Sequence, residues 1–490
     1  MTSMTQIIGR KQEQQELLEA FSSKNAEFVV VYGRRRVGKT FLIEEFFKKQ
    51  KCTYFNVIGV QEGLLKEQLE EFAKAIGKTF YKGASIAASS TWMHAFEELT
   101  KAIEGLPKNN KVVLFFDELP WMVTRRSRML QALDYYWNRH WSKYQNLKLV
   151  VCGSSASWII KNIIHHRGGL HNRYTRSILL KPFSLFETKA FLQNKEIKLN
   201  DRQILQLYMV LGGIPHYLAQ VKRGLSAAQN INYLCFRENG ILFSEFDKLF
   251  KSLFEDAKTY IELIKIIAQV REGVSRALIE EQSKFSSKGG TLTDRLNDLE
   301  LAGFIKSFLP TSHQRQGVYY RIVDEYSYFY LRWIEPIKHT LIAQELANNY
   351  WTDKAKMPEH LSWMGYAFES VCYKHLTQIR NALNIKASRV GAWRYSPRGG
   401  TSESGAQIDL LFERDDGAIT ICEIKCTEQP FNINKEYYNQ LLNKINIYKQ
   451  VTRTSKQIFI AFISANGIKE TVYSNELIDN TITLDNLFQE

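Results

Sequence analysis

Hydrophobic positions change their spacing along this chain, and each spacing predicts a different kind of element. Three stretches in the N-terminal part are continuously apolar: EFVVVY (Glu27–Tyr32), the core of KVVLFFDE (Lys111–Glu118) and LKLVVCGSS (Leu147–Ser155). Runs this short and this apolar, punctuated by glycine, acid or serine, predict buried strands. After the first comes FLIEEFFKK, where Phe41, Leu42 and Phe46 recur at helical spacing. Around residues 250–335 the pattern shifts to short amphipathic helices: Tyr260–Ala268, Ala277–Gln282 and Thr291–Leu301. The last is capped by Thr291 and carries Leu292, Leu296 and Leu299 on one face. Two strand-like stretches follow, Phe304–Leu309 and Val318–Val323. Beyond about residue 340 come an amphipathic helix, Leu361–Leu376, then two alternating strands around a turn, QIDLLFE–RDDG–AITICEIKC, and a helix over 436–450.

The length of 490 residues implies two to four domains, and 44% hydrophobic with 24% charged residues is an ordinary globular balance. No apolar run approaches the ~18 residues that span a bilayer, and the first ten residues lack a signal-peptide pattern, so a cytoplasmic protein with no membrane partner is expected. Six scattered cysteines without CxxC spacing argue against a disulfide framework or zinc site. Charge is unevenly placed. Residues 1–250 carry 36 Lys and Arg against 22 Asp and Glu, whereas residues 251–490 carry 29 of each. The basic excess thus lies in the N-terminal half, where an anionic ligand would be attracted.

The turn after the first strand is Gly33-Arg34-Arg35-Arg36-Val37-Gly38-Lys39-Thr40, a Walker A motif between strand and helix. Its glycines let successive backbone N–H groups wrap a phosphate chain, Lys39 reaches the β- and γ-phosphates, and Thr40 holds Mg²⁺. The second strand ends in Asp117 and Glu118, as a Walker B strand does; Asp117 would hold the Mg²⁺ of ATP and Glu118 would polarise the attacking water. Ser154 or Ser155, ending the third strand, is placed to sense the γ-phosphate, and Arg173 and Arg176 offer cations for transition-state charge.

These motifs, together with IIGRKQEQQELL, LFFDELPWM, NRYTRSILLKPF and LGGIPHYL, resemble the archaeal-type AAA+/STAND ATPases (an MNS-like clade) over about residues 5–335. The resemblance implies an α/β P-loop NTPase core with a parallel sheet, of the ASCE type that inserts a strand between the Walker strands, followed by a helical and winged-helix region. It implies that Gly9-Arg10 lies near the adenine and that Gly212-Gly213-Ile214-Pro215 closes the site. It also implies a nucleotide-driven switch and leaves assembly into an oligomer open. The third helix of the winged-helix region, with Asp294, Asp298 and Glu300 against Arg295, is wrongly charged for a DNA groove and points to an internal module or a protein partner.

In the C-terminal hairpin, a turn at Asp415-Asp416-Gly417 pairs residues whose numbers sum to 832, so Asp409 faces Glu423, and Lys425 shares their side. Two carboxylates and a lysine on one face suit metal-assisted phosphodiester cleavage, with Asp409 and Glu423 on Mg²⁺ and Lys425 positioning water. The spacing D-x₁₃-E-x-K resembles the PD-(D/E)xK nuclease fold over about residues 355–470. That resemblance implies Glu369 as the helical acid and Gln440 near the metal, although Ile408 stands where the motif has proline. Ile408, Leu410, Ile421 and Ile424 alternate with the charged positions and predict one core side and one open side. The expected domains are 1–235 (ATPase with helical lid), 236–338 (winged helix) and 339–490 (α/β restriction-endonuclease-like). The function read from this is an ATP-hydrolysing switch coupled to a DNA-directed nuclease domain. The alternatives are a non-catalytic ATP-dependent regulator, or a DNA-loading ATPase of the initiator type. The pair His165-His166, the C-x₃-C of Cys422 and Cys426, and the aromatic run YYWNRHWSKY (135–144) are discounted as sites.

Overall fold

The computed structural model describes residues 6–165, 173–270, 273–283, 290–308, 317–340, 350–354, 357–395 and 405–490. Of the positions singled out above, His166 and Leu309 lie outside them. The chain divides into two compact units, Met1–Pro182 with Leu301–Gly303, and Phe183–Glu300 with Phe304–Glu490. The first unit runs to Pro182, and the helices after it belong with later elements in the second unit.

In the first unit the three continuously apolar runs are strands, joined by two that are less apolar. They are β1 (Glu27–Tyr32), β2 (Thr53–Ile58), β3 (Val112–Asp117), β4 (Leu147–Gly153) and β5 (Arg176–Leu179). All pair in parallel in the order β2-β3-β4-β1-β5. β4 lies between β1 and β3, so the inserted strand is present. Every residue of β3 and β4 is buried, because helices cover both faces. On one face α1 (Lys11–Ser22) and α2 (Lys39–Phe47) bring Phe21 and Phe47 together, and Phe47 stacks on Tyr54, which stacks on Phe115. The other face carries α3 (Leu65–Phe80), α4 (Trp92–Glu104) and α6 (Met129–Arg139), beyond the short α5 (Leu119–Met122). Phe96 of α4 sits among Phe72, Trp92, Phe116 and Trp141, with ring centroids 5.3–5.9 Å away. Truncating such a fully buried ring costs roughly 3–5 kcal/mol.

The second unit begins with helices and contains two sheets. The helices Ala257–Ala268, Arg276–Gln282 and Gly290–Leu301 alternate with β6 (Val274–Ser275), β7 (Ile305–Phe308) and β8 (Tyr319–Ile322), an antiparallel sheet in the order β6-β8-β7. The third helix starts at Gly290, one residue before the expected Thr291 cap, and buries Leu292, Leu296 and Leu299 as its spacing requires. The other sheet, ordered β13-β12-β11-β10-β9, comprises β9 (Ala387–Tyr395), β10 (Ala406–Arg414), β11 (Ile419–Lys425), β12 (Ile458–Ser464) and β13 (Asn480–Ile482). β9, β10 and β11 form an antiparallel meander, and β12 and β13 add in parallel. The helix Pro358–Lys374 packs on β11 and the helix Lys435–Thr452 on β10.

Candidate nucleotide site and carboxylate cluster

β1 delivers the chain into a loop that only glycine can open. Gly33 has φ +144°, and a Cβ there would lie 2.3 Å from the Leu180 carbonyl oxygen; Gly38 has φ +90° at the start of α2. Lys39, 4% exposed, folds back on the loop and donates to the carbonyls of Gly33 and Arg34, both at 3.0 Å, and to Ser154 Oγ at 3.4 Å. The Thr40 hydroxyl donates to Asp117 Oδ2 at 2.7 Å, bringing the ends of β1 and β3 together. Asp117 also accepts from the Glu118 N–H at 3.0 Å; burial pushes its carboxyl above the usual range, against the pull of Thr40. Glu118, in a left-handed turn at φ +47°, has its carboxylate gripped by Ser154, whose N–H donates at 2.9 Å and whose hydroxyl donates to Oε1. It is Ser154, not Ser155, that joins Lys39 to Glu118.

Gly9 and Arg10 abut this loop: Arg10 is 5% exposed and its Nη2 donates to the Val37 carbonyl at 3.4 Å, while Gln14 donates to Gly9 O at 2.8 Å. Arg35 lies over the Trp121 ring at 5.9 Å. Arg34 is buried in the loop and Arg36 adopts φ +71°. A hydroxyl and a carboxylate side by side at the end of the glycine-opened loop, next to the Lys39 ammonium, fit a magnesium–triphosphate, so Thr40 and Asp117 are the residues that would hold the ion.

One expected cation, Arg176, is not at this end of the sheet. Arg176 pairs in register with Val29, three residues or about 10 Å below the level of Leu179, and its guanidinium binds Glu19 at 3.0 Å. Arg173 stands three residues before β5 begins, and Arg176 is turned to Glu19 and not to the phosphate loop of its own chain. Pro215 belongs to the second unit, where it opens a short helix after Gly212 and Gly213, both at positive φ. A Cβ on Gly212 would meet Glu325 Oε2 at 2.6 Å, and one on Gly213 the Phe183 carbonyl at 2.2 Å.

The C-terminal hairpin has the expected register. Leu410 pairs with Cys422 and Glu413 with Ile419, and Arg414 N–H donates to Ala418 O at 2.9 Å, around Gly417 at φ +83°. Asp409 and Glu423 therefore face each other. Asp409 Oδ2 accepts from the Ile424 N–H at 3.1 Å, and Tyr373 donates to the Asp409 carbonyl at 2.7 Å. Glu423, its side chain 3% exposed, is held at Oε1 by Lys425 (2.8 Å) and Tyr437 (2.5 Å) and at Oε2 by Lys444 (2.7 Å). Burial works to raise the Glu423 carboxyl, but Lys425 and Lys444 outweigh it and hold it low. Burial, then the charge on Glu423, pushes Asp409 up to about 6; burial, then Asp409, pushes Glu369 up to about 8. The three acids thus share one electrostatic environment with Lys425.

Two expectations fail here. The charged side is not open, because the helix Lys435–Thr452 closes over Glu423. Gln440 is exposed and donates to Glu436 on its own helix at 3.5 Å, while Tyr437 and Lys444 reach the carboxylate instead. Their spacing of seven, two helical turns on one face, was the available signal. No group of three or more His, Cys, Asp or Glu among the described residues is arranged to hold a metal ion, and a cation between Asp409 and Glu423 would compete with the Lys444 ammonium. No described helix is long and apolar enough to cross a membrane.

Residues 8–221 match a family model described as an ATPase domain predominantly from Archaea, and residues 330–441 match one described as archaeal and bacterial proteins of unknown function. An uncharacterized protein of Methanocaldococcus jannaschii, MJECL04, is 26% identical over 444 residues, covering 89% of this chain and 91% of its own. A short uncharacterized ATP-binding protein of the same organism, MJ0423, is 37% identical over 51 residues, 10% of this chain and 86% of its own. Among solved structures, the Walker-type ATPase PABY2304 of Pyrococcus abyssi aligns with a TM-score of 0.48 at 18% identity, covering 66% of this chain and 96% of that one. The Aeropyrum pernix ORC2 protein aligns with a TM-score of 0.43 at 13% identity, covering 69% and 96%. The segment 8–221, which holds the parallel sheet and its phosphate loop, is thus similar to an ATPase domain found predominantly in Archaea.

Proposed function

We propose that the chain is an ATP-hydrolysing switch whose second unit contains a winged-helix module and a domain of the PD-(D/E)xK nuclease type. The observation that carries the first half is the 2.7 Å bond from Thr40 to Asp117, flanked by Lys39 and Glu118. Magnesium bound with ATP there would offset phosphate charge. Lys39 would leave the carbonyls of Gly33 and Arg34 for the phosphates, and Ser154 would orient Glu118 toward water. Phosphate release by the purified chain, absent in Lys39→Ala, tests this half.

The helix–meander–helix–strand order from Pro358 to Ser464 and the opposed Asp409 and Glu423 support the nuclease-type reading. In it Asp409 and Glu423 would hold Mg²⁺ once Lys444 gave up Glu423 Oε2, and the ion would supply a bound water of lowered pKa. Lys425 orients that water and Glu369 keeps a proton in the buried pocket. Nicking of supercoiled plasmid with Mg²⁺, lost in Asp409→Ala and Lys425→Ala, is the test; equal nicking by these variants contradicts it. One observation favours a second, non-cleaving reading: both Glu423 oxygens are already neutralised by Lys425 and Lys444. In the winged-helix module Arg295 is committed to Asp256 (3.0 Å), Asp298 accepts from Tyr260 (2.8 Å) and Glu300 binds Lys306 (2.8 Å). That helix is occupied with its own module, which supports an internal or protein-contacting role over a DNA groove.

A further inference from the structure

The basic excess of the N-terminal half is concentrated further than the division at residue 250 reveals. Residues 119–182 contain eleven Lys and Arg and a single acid, Asp134. The segment starts directly after Glu118. Arg125, Arg126 and Arg128 are exposed and lie between α5 and α6; Arg126 and Arg128 hold left-handed backbone at φ +65° and +53°. Non-glycine residues resist that conformation, and strain of this kind gathers where side chains must be aimed. Along α6 the exposed stripe continues through Gln131, Tyr135 and Arg139 at intervals of four, and Lys143 follows just beyond the helix. The opposite stripe of Ala132, Leu133, Tyr136 and Trp137 is buried.

A solvated surface would account for exposed cations if they were paired as they are elsewhere on this unit. Lys48 binds Glu45 at 3.4 Å, Lys66 binds Glu70 at 3.8 Å, Lys74 binds Glu71 at 2.6 Å and Lys101 binds Glu97 at 2.7 Å. None of Arg125, Arg126, Arg128, Arg139 or Lys143 has a carboxylate within ion-pair distance among the described residues. The one acid nearby, Asp134, is hydrogen-bonded to Asn138. Tyr135 leaves 44% of its surface exposed, midway between the two groups of cations.

We propose that this face of the ATPase domain binds the phosphodiester backbone of nucleic acid. The two cation groups bracket α6, whose eleven residues span about 16 Å. Phosphates rise ~3.4 Å each per strand along a duplex axis, so a stripe of this length spans about five phosphate levels. Arginines suit phosphates through their forked donors, and an exposed aromatic ring between the cations offers a stacking surface to an unpaired base. The face is built from first-unit residues that belong neither to the third winged helix nor to the carboxylate cluster, so the proposal goes beyond the function assigned above.

Binding of labelled 30-residue duplex DNA, single-stranded DNA and single-stranded RNA by the full chain, in EDTA without nucleotide and across 50–200 mM salt, tests it. A failure here leaves ATP hydrolysis and cleavage standing, and the reverse holds. The wild-type chain is expected to bind at least one of these with strongly salt-dependent affinity. The variant R125Q/R126Q/R128Q should lower the slope of log affinity against log salt by about two to three, and R139Q/K143Q by about one to two. Tyr135→Ala should weaken single strands selectively, leaving the slope unchanged. K66Q/K101Q, which changes paired lysines, should bind as wild type. No salt-dependent binding by the wild type, unchanged binding by both arginine-directed variants, or binding confined to phosphatidylserine vesicles would each overturn the proposal. The two variants alter separate exposed positions, so misfolding of one leaves the other as the test.

Discussion

Lys444 Nζ lies 2.7 Å from Glu423 Oε2, on a carboxylate whose other oxygen already faces Lys425 at 2.8 Å. Glu423 is almost wholly buried, so each ammonium offsets part of the penalty of keeping a charge out of water. Lys444→Met should destabilise the chain by about 1–3 kcal/mol, and Glu423→Gln likewise, yet the double variant should lose less than the two losses combined. Urea denaturation of the four proteins checks this; additive losses would mean that the pair is not coupled.

Glu118 is held by Ser154 while Asp117 takes the Thr40 hydroxyl, so the two adjacent acids are separated in role by their partners. Glu118→Gln should keep ATP affinity within a few-fold and lower phosphate release about 10²–10⁴-fold, the usual contribution of a general base. Calorimetric titration beside a phosphate-release assay distinguishes this from a binding defect.

His375 is 1% exposed; its ring hydrogen-bonds Val371 O at 2.8 Å and its Nε2 accepts from the Leu185 N–H at 3.0 Å. Burial lowers its pKa from 6.5 to about 4. The unfolded chain therefore takes up a proton between pH 6.5 and 4 that the folded chain refuses. The stability this group contributes is complete above about pH 6.5 and is lost as pH falls toward 4, by up to roughly 3 kcal/mol. Urea midpoints at pH 7.5 and 4.5 should differ less for His375→Gln than for the wild type.

Gly212 sits at φ +65° with Glu325 Oε2 2.6 Å from where a Cβ would be, and Glu325 binds Lys374 at 2.6 Å. Gly212→Ala combines backbone strain with displacement of a buried ion pair, and should lower stability by about 2–4 kcal/mol. A thermal unfolding midpoint within a degree of wild type would contradict that reading.

Much of the nucleotide site was legible because its chemistry is local. Glycines, lysine and threonine between Gly33 and Thr40 are adjacent in sequence, and the acids follow a strand whose apolar run is unmistakable. The hairpin register was equally local, since one turn at Gly417 sets which residues face each other. What escaped depends on contacts distant in sequence. Lys444 and Tyr437 meet Glu423 only because a helix after β11 folds back across the sheet; their spacing of seven puts them on one helix face but does not say that this face turns to the sheet. Arg176 misled for the same reason: a basic residue near the site motifs says nothing of its height along β5 until the parallel pairing with Val29 is known.

ATP hydrolysis by the purified chain with Mg²⁺, compared with Lys39→Ala, tests the central claim most directly. The loop from Gly33 to Thr40 should support nucleotide binding and steady phosphate release. Lys39→Ala should weaken ATP binding by at least about 100-fold, the worth of a charge-assisted contact of roughly 3 kcal/mol, and stop turnover with the fold preserved. Equal binding and turnover by the two proteins would contradict the account.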